Sequence, residues 1–232
     1  MGKIKGISFD MYRTLLDTRD FHEQAVREIL TTSQSNSVDP DKFHHRWDEI
    51  YDDVYMALED NDFMLLYDVS IESLRQVMHE FGVKGDPKAG VDMWIGKYEN
   101  ADLYPEVIEV LDKLSQKYPI MITSNVDDND AGYAMLRGKN LPIIGVVTSE
   151  SSRSYKPNKK IFDDALSMLG CNPDEVIHIG DSQRADILGG KKAGMVTVWL
   201  DRKCYRKINE GIPEPDYIIS DLRELIDIDY LK

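Results

Sequence analysis

Six short apolar runs constrain this chain more than any other feature: Ile4 to Phe9, Ile120 to Thr123, Ile143 to Thr148, Val176 to Ile179, Val196 to Leu200 and Tyr217 to Ile219. Each is nearly continuous and β-branched. A strand with one wet face alternates apolar and polar residues, whereas a strand covered on both faces, as in a parallel sheet, does not. Helical periodicity lies between the runs. Val107, Val110, Leu111 and Leu114 share one helix face, as do Ile161, Ala165, Leu166 and Leu169. Gly170 and Gly194 stand where those segments should stop. Strands alternating with helices imply right-handed crossovers and a doubly wound α/β parallel sheet.

One stretch breaks the rhythm. Between the first run and Tyr104 the pattern is helical throughout, over Phe21 to Leu30, Lys42 to Leu58, Ile71 to Phe81 and Val91 to Tyr98. Asp39-Pro40 and Asp86-Pro87 read as turns or helix starts between them. The expected organisation is a core of residues 1–16 and 102–232 with a helical insert at 17–101.

Charge narrows the partners. Lys plus Arg number 28 against 42 Asp plus Glu, a net charge of −14. Such a surface repels nucleic acid and anionic lipid, so no nucleic-acid or membrane partner is expected. No run approaches the roughly 20 apolar residues of a membrane helix. Cys171 and Cys204 are the two cysteines, a usage that fits a reducing, cytoplasmic location.

In an open parallel sheet, ligands bind beyond the carboxyl ends of the strands. The first run ends in Asp10-Met11-Tyr12-Arg13-Thr14 and the second in Ser124-Asn125. Ser154-Tyr155-Lys156-Pro157 follows the third run, and Gly180-Asp181-Ser182 ends the fourth, with Asp186 a helical turn further on. Taken singly, a strand-end Asp is commonly a helix cap and a Lys commonly a solvated charge. Capping alone does not account for four polar strand ends in order.

These four segments, in this order and separation, resemble the haloacid dehalogenase-like hydrolase superfamily. Its motifs are a strand followed by Asp-x-Asp-x-Thr, a strand-end Ser or Thr, a Lys, and Gly-Asp-x-x-x-x-Asp. The resemblance covers the whole core and implies a Rossmann-like sheet with a helical cap domain inserted after the first strand. It also implies a hydrolase in which Asp10 is the nucleophile, Ser124, Asn125 and Lys156 bind substrate, and Thr14 orients Asp10. The same resemblance puts Mg²⁺ on Asp10, Asp181 and the backbone carbonyl of Tyr12, with Asp186 bracing Lys156 or the metal waters; an all-oxygen donor set suits that ion. A helical cap can supply a dimer surface, so monomer and homodimer both stay open.

The sequence departs from the family pattern at Tyr12, where phosphatases carry a second Asp as general acid. That acid contributes about 10²–10⁴ in rate, and a phenol with a pKa near 10 is a poorer donor. Asp-x-Tyr is characteristic of the 2-haloacid dehalogenase branch, whose halide leaves without a proton. That branch needs no metal, however, and carries Ser and Asn where this chain has Asp181 and Asp186. It also carries a Trp-Arg pair on a cap helix where this chain has Trp47-Asp48, preceded by Arg46. Three readings follow, in order of preference: a magnesium-dependent hydrolase of a small, activated phosphate; a 2-haloacid dehalogenase; and a non-catalytic phospholigand-binding protein.

Other polar residues carry less. His22, His44, His45, His79 and His178 show no metal-ligand spacing with a fitting third group, and His178 is expected to be buried within the fourth strand. Arg202, Lys203, Arg206 and Lys207 are expected to be solvated.

Overall fold

The protein is described by a computed structural model over residues 4–58 and 62–231. In chain order the elements are β1 (Gly6–Phe9), β2 (Leu16–Asp17), α1 (Phe21–Thr32), α2 (Pro40–Met56), α3 (Leu66–Glu80), α4 (Pro87–Gly96), β3 (Asp102–Leu103) and α5 (Val107–Ser115). There follow β4 (Ile120–Ser124), α6 (Ala131–Arg137), β5 (Gly145–Thr148), α7 (Ser149–Ser152), α8 (Lys159–Leu169), β6 (Val176–Gly180), α9 (Gly189–Ala193), β7 (Val196–Leu200) and β8 (Tyr217–Ile219). All six apolar runs are strands. β2 and β3, two residues each, have no apolar run to announce them.

The chain forms two compact units. One comprises Met1–Asp17, Asp102–Asp128 and Leu136–Lys232; the other comprises Thr18–Ala101 and Asn129–Met135. The first unit holds a parallel six-stranded sheet in the order β5-β4-β1-β6-β7-β8. β1 is central: Ile7 pairs with Ile120 on one side and Ile177 on the other. β4, β1 and β6 are buried at every position, which is why their sequences do not alternate. Packed against the sheet, Ile161, Phe162, Ala165 and Leu166 of α8 join Met121, Val147 and Val176 in one apolar cluster. Gly170 and Gly194 end α8 and α9 at φ +64° and +86°, the left-handed conformation that glycine adopts without steric cost. A short antiparallel pair, Leu16 with Leu103 and Asp17 with Asp102, joins the two places where the chain leaves and re-enters this unit.

The second unit is built on α1 to α4. Asp39 caps α2 by accepting from the amides of Asp41 and Lys42, and Asp86 caps α4 by accepting from that of Lys88. Pro40 and Pro87 occupy the first helical positions, where a missing N–H costs nothing. Both Asp-Pro pairs are therefore helix starts. The core of this unit is Val26, Ile29, Phe43, Trp47, Leu74, Val77 and Val91 with their neighbours.

Candidate active site

β1, β4 and β6 lie side by side at the centre of the sheet, so their carboxyl ends bring Asp10, Ser124 and Asp181 to one rim, with Asp186 close behind. Chain direction reverses its outward progress there, with β4 on one side of β1 and β6 on the other. This is the switch point at which open α/β sheets bind ligands.

Lys156 is the hub. Its side chain is 2% exposed, and Nζ donates to Asp10 Oδ1 at 2.6 Å, to Asp186 Oδ1 at 2.6 Å and to the Thr123 carbonyl at 3.0 Å. Three donors meet three acceptors, so a buried ammonium is fully satisfied. Ser124 Oγ donates to the same Asp10 oxygen at 3.1 Å. Burial works against the charge on Lys156, but Asp10 and Asp186 outweigh it and raise its pKa above that of an ordinary lysine. Burial likewise opposes ionisation of Asp186, yet Lys156 and His178 hold its carboxyl well below the usual carboxylate range. For Asp10 burial prevails over the pull of Lys156, with Asp186 adding to the upward shift.

Asp10, Asp181 and Asp186 can each offer one oxygen within 4.8 Å of the others. Asp181 has little to offset its neighbours: burial pushes its carboxyl up to about 7, opposed by Arg13, whose Nε stands 3.5 Å away, while Asp10 and Asp186 raise it further. A carboxyl driven toward its protonated form by burial, and further by adjacent carboxylates, is what a divalent cation would relieve. The all-oxygen chemistry of this set fits magnesium.

Beneath the rim a chain of buried polar side chains crosses the three central strands. Thr123 Oγ1 bonds Ser8 Oγ at 2.8 Å, Ser8 Oγ bonds His178 Nδ1 at 2.9 Å, and His178 Nε2 meets Asp186 Oδ1 at 3.2 Å. The other Asp186 oxygen accepts from the Ser182 amide at 2.9 Å. The carboxylate lies so close to the backbone of β6 that a Cβ on Gly180 would fall 2.2 Å from Asp186 Cγ. Glycine before Asp181 is thus a packing requirement. Gln183 to Leu188 form a π-helical turn that carries Asp186 into this position.

The loop after β1 is held from outside. Arg13 has φ +59°, and Tyr12, half-buried, bridges to Leu16. Arg202 donates to the carbonyls of Thr14 at 2.8 Å and Arg13 at 3.3 Å, pairs with buried Glu106 at 2.7 Å, and lies over the Tyr104 ring at 3.5 Å. Arg202 is therefore a loop clamp and not the solvated charge that a basic cluster suggests; its partners stand about a hundred residues or more away in sequence. Thr14 Oγ1, buried, makes no hydrogen bond among the described residues, to Asp10 or to anything else. Asn125 spends both ends of its amide on the main chain of Lys156, accepting from its N–H at 2.7 Å and donating to its carbonyl at 3.1 Å.

A model of haloacid dehalogenase-like hydrolases matches residues 4–194. The chain belongs to that family. It is 28% identical over 97% of both chains to glyceraldehyde 3-phosphate phosphatase of Methanopyrus kandleri, and 26% identical over 96% of its own length and 90% of the relative's to (S)-2-haloacid dehalogenase 4A of Burkholderia cepacia. Among solved structures, the HAD-hydrolase YfnB of Bacillus subtilis, bound to magnesium, shares the fold with a TM-score of 0.76 at 23% identity over 97% and 98% of the two chains. The chain is accordingly a hydrolase of this family, and the choice between phosphate and halide chemistry falls to its own residues.

Two residues of the helical unit bear on that choice. Trp47 is buried in the helical unit, its Nε1 donating to Ser73 Oγ at 2.9 Å. Arg46 is held by Glu80 at 3.0 Å and Glu49 at 2.9 Å. Both belong to the packing and surface of that unit. No helix among the described residues is long and apolar enough to cross a membrane.

Proposed function

We propose that this chain is a magnesium-dependent phosphatase-type hydrolase that acts on small, activated phosphates through an aspartyl-phosphate on Asp10. One observation carries the reading: the carboxylate ending β1 shares a buried lysine with Asp186 and an acidic cluster with Asp181. A halide displacement has no use for the acidic pair, and Arg46 is engaged with two glutamates of its own unit. The phosphatase names among the relatives support the same choice.

Asp10 attacks phosphorus through a carboxylate oxygen, and the bond to the leaving oxygen breaks with its electron pair. Water then attacks phosphorus, the bond to Asp10 breaks, and inorganic phosphate leaves with the carboxylate restored. Lys156 and Ser124, both on Asp10 Oδ1, aim that oxygen and stabilise non-bridging oxygens as charge builds. Asp186 holds Lys156 in place, and Asn125 fixes the main chain that carries it. Asp10, Asp181 and the Tyr12 carbonyl are the proposed magnesium ligands, and the ion supplies positive charge against the phosphoryl group. Tyr12 gives no carboxylic acid for the leaving group, so activated phosphates are the substrates of choice.

Acetyl and p-nitrophenyl phosphate and 2-chloropropionate, each assayed with Mg²⁺ and with EDTA, test this. Hydrolysis of the phosphates with Mg²⁺, loss in EDTA and loss in Asp181→Ala are expected. Full activity on the haloacid in EDTA would replace the phosphatase reading with the dehalogenase one.

A further inference from the structure

A second group of ligand-type side chains lies in the helical unit. His22 sits in the first turn of α1, while His44 and Asp48 stand four residues apart on one face of α2. His22 Nδ1 is 3.1 Å from His44 Nε2 and 3.0 Å from Asp48 Oδ1, and His44 Nε2 is 3.6 Å from Asp48 Oδ2. Sequence spacing pairs only the latter two; helix packing supplies the third.

The geometry is that of a ligand triangle. Metal bonds of about 2.0–2.1 Å in tetrahedral arrangement give ligand–ligand edges of about 3.3 Å. The closest approaches of the three pairs lie around that edge, the Asp48 carboxylate meeting His22 through Oδ1 and His44 through Oδ2. Each residue can offer one ligand atom, and the three atoms lie within 4.8 Å of one another. The His22 ring is held in place, stacked on Trp94 at 4.4 Å and set edge-on to Trp47 at 4.3 Å. Nδ1, which faces both partners, is the atom it offers, while Nε2 is buried without a hydrogen-bond partner among the described residues. Side-chain exposure rises from 17% at His22 through 28% at His44 to 56% at Asp48. Solvent therefore reaches one side of the triangle, giving a path for entry.

We propose that His22, His44 and Asp48 form a binding site for a divalent transition metal of the zinc class, built from a residue set separate from the acidic cluster on the core. Two imidazoles with one carboxylate select zinc and its neighbours in the first transition row, whereas the oxygen-only cluster suits magnesium.

The test titrates Zn²⁺ into the full chain, stripped with EDTA and desalted, by calorimetry in excess Mg²⁺. Co²⁺ is followed in parallel by its visible absorption. One Zn²⁺ per chain is expected, retained in Asp181→Ala. His44→Ala and Asp48→Asn should each weaken it by at least about tenfold, as loss of a metal-supporting contact typically does. Both substitutions fall at solvent-reached positions, and circular dichroism with thermal melting confirms that each variant is folded. Failure to bind Zn²⁺ would overturn the site, as would binding that survives His44→Ala and Asp48→Asn undiminished or disappears in Asp181→Ala.

Discussion

Lys156→Met removes one charge and keeps the length of the side chain. In the native protein the ammonium stands between two buried carboxylates, each 2.6 Å away, so their facing oxygens lie no more than about 5 Å apart. Without the ammonium, two ionised carboxylates at that separation repel by about 3 kcal/mol at an effective dielectric of about 20. Breaking a buried ion pair by deleting one partner costs about 3–5 kcal/mol, in the same range. The variant can escape part of this by taking up a proton, and that makes the cost depend on pH.

The sign follows from Asp186. Its carboxyl is depressed in the native protein, so its contribution to stability is fully present above the ordinary carboxylate value of 3.8 and is lost as pH falls through the lower, folded value. In Lys156→Met only His178 still opposes burial, which together with the facing Asp10 carboxylate reverses the shift. Stability is then lost as pH rises from the ordinary value through the raised one. The gap between the two proteins should therefore be about 3–5 kcal/mol near pH 8 and shrink toward about pH 5. Urea unfolding followed by tryptophan fluorescence in EDTA measures it; Asp181 titrates in both proteins and largely cancels. A gap below about 1 kcal/mol, or one independent of pH, would refute the argument that Lys156 neutralises both carboxylates.

Other perturbations address neighbouring parts of the site. Tyr12→Asp should raise turnover of sugar and glycerol phosphates by about 10–10³ and leave nitrophenyl phosphate nearly unchanged, since only poor leaving groups need the proton; an equal gain on both, read from kcat/KM, would mean the substitution acts through metal binding. Gly180→Ala places a Cβ 2.2 Å from the Asp186 carboxyl and should lower stability by about 2–4 kcal/mol in urea unfolding, through lost hydrogen bonds to Lys156 and Ser182. Magnesium should raise the melting temperature by about 5–10 °C near pH 8 at about a hundredfold excess over Kd, and by less than half that near pH 5.5. The reason is Asp181: with its carboxyl pushed up to about 7, metal-free stability falls as pH climbs through that value, and a cation binds without displacing a proton only above it.

The core was legible because it is repetitive in the right way. Buried parallel strands have no polar face, so Ile120 to Thr123 and Val176 to Ile179 announce themselves, and Gly170 and Gly194 mark helix ends by a conformation few other residues accept. The Asp-Pro pairs at 39–40 and 86–87 carry their cap and first helical turn in adjacent residues. β2 and β3 were invisible because two-residue strands have no period.

Of the site, the sequence by itself determined the residue types and their order: Asp10, Ser124 and Asp181 punctuate the ends of buried runs, and Lys156 and Asp186 stand in the segments that follow β5 and β6. Tertiary structure decided how those residues are employed. Lys156 spans two carboxylates, Asn125 faces the main chain of Lys156, Thr14 Oγ1 lacks a hydrogen bond among the described residues, and Arg202 is a clamp on the loop after β1. The Thr123–Ser8–His178–Asp186 chain and the His22–His44–Asp48 triangle join residues from different strands or helices. The physical reason is common to all of them. Periodicity and capping act within a few residues along the chain, while hydrogen bonds and ion pairs form wherever packing brings donor and acceptor within about 3 Å.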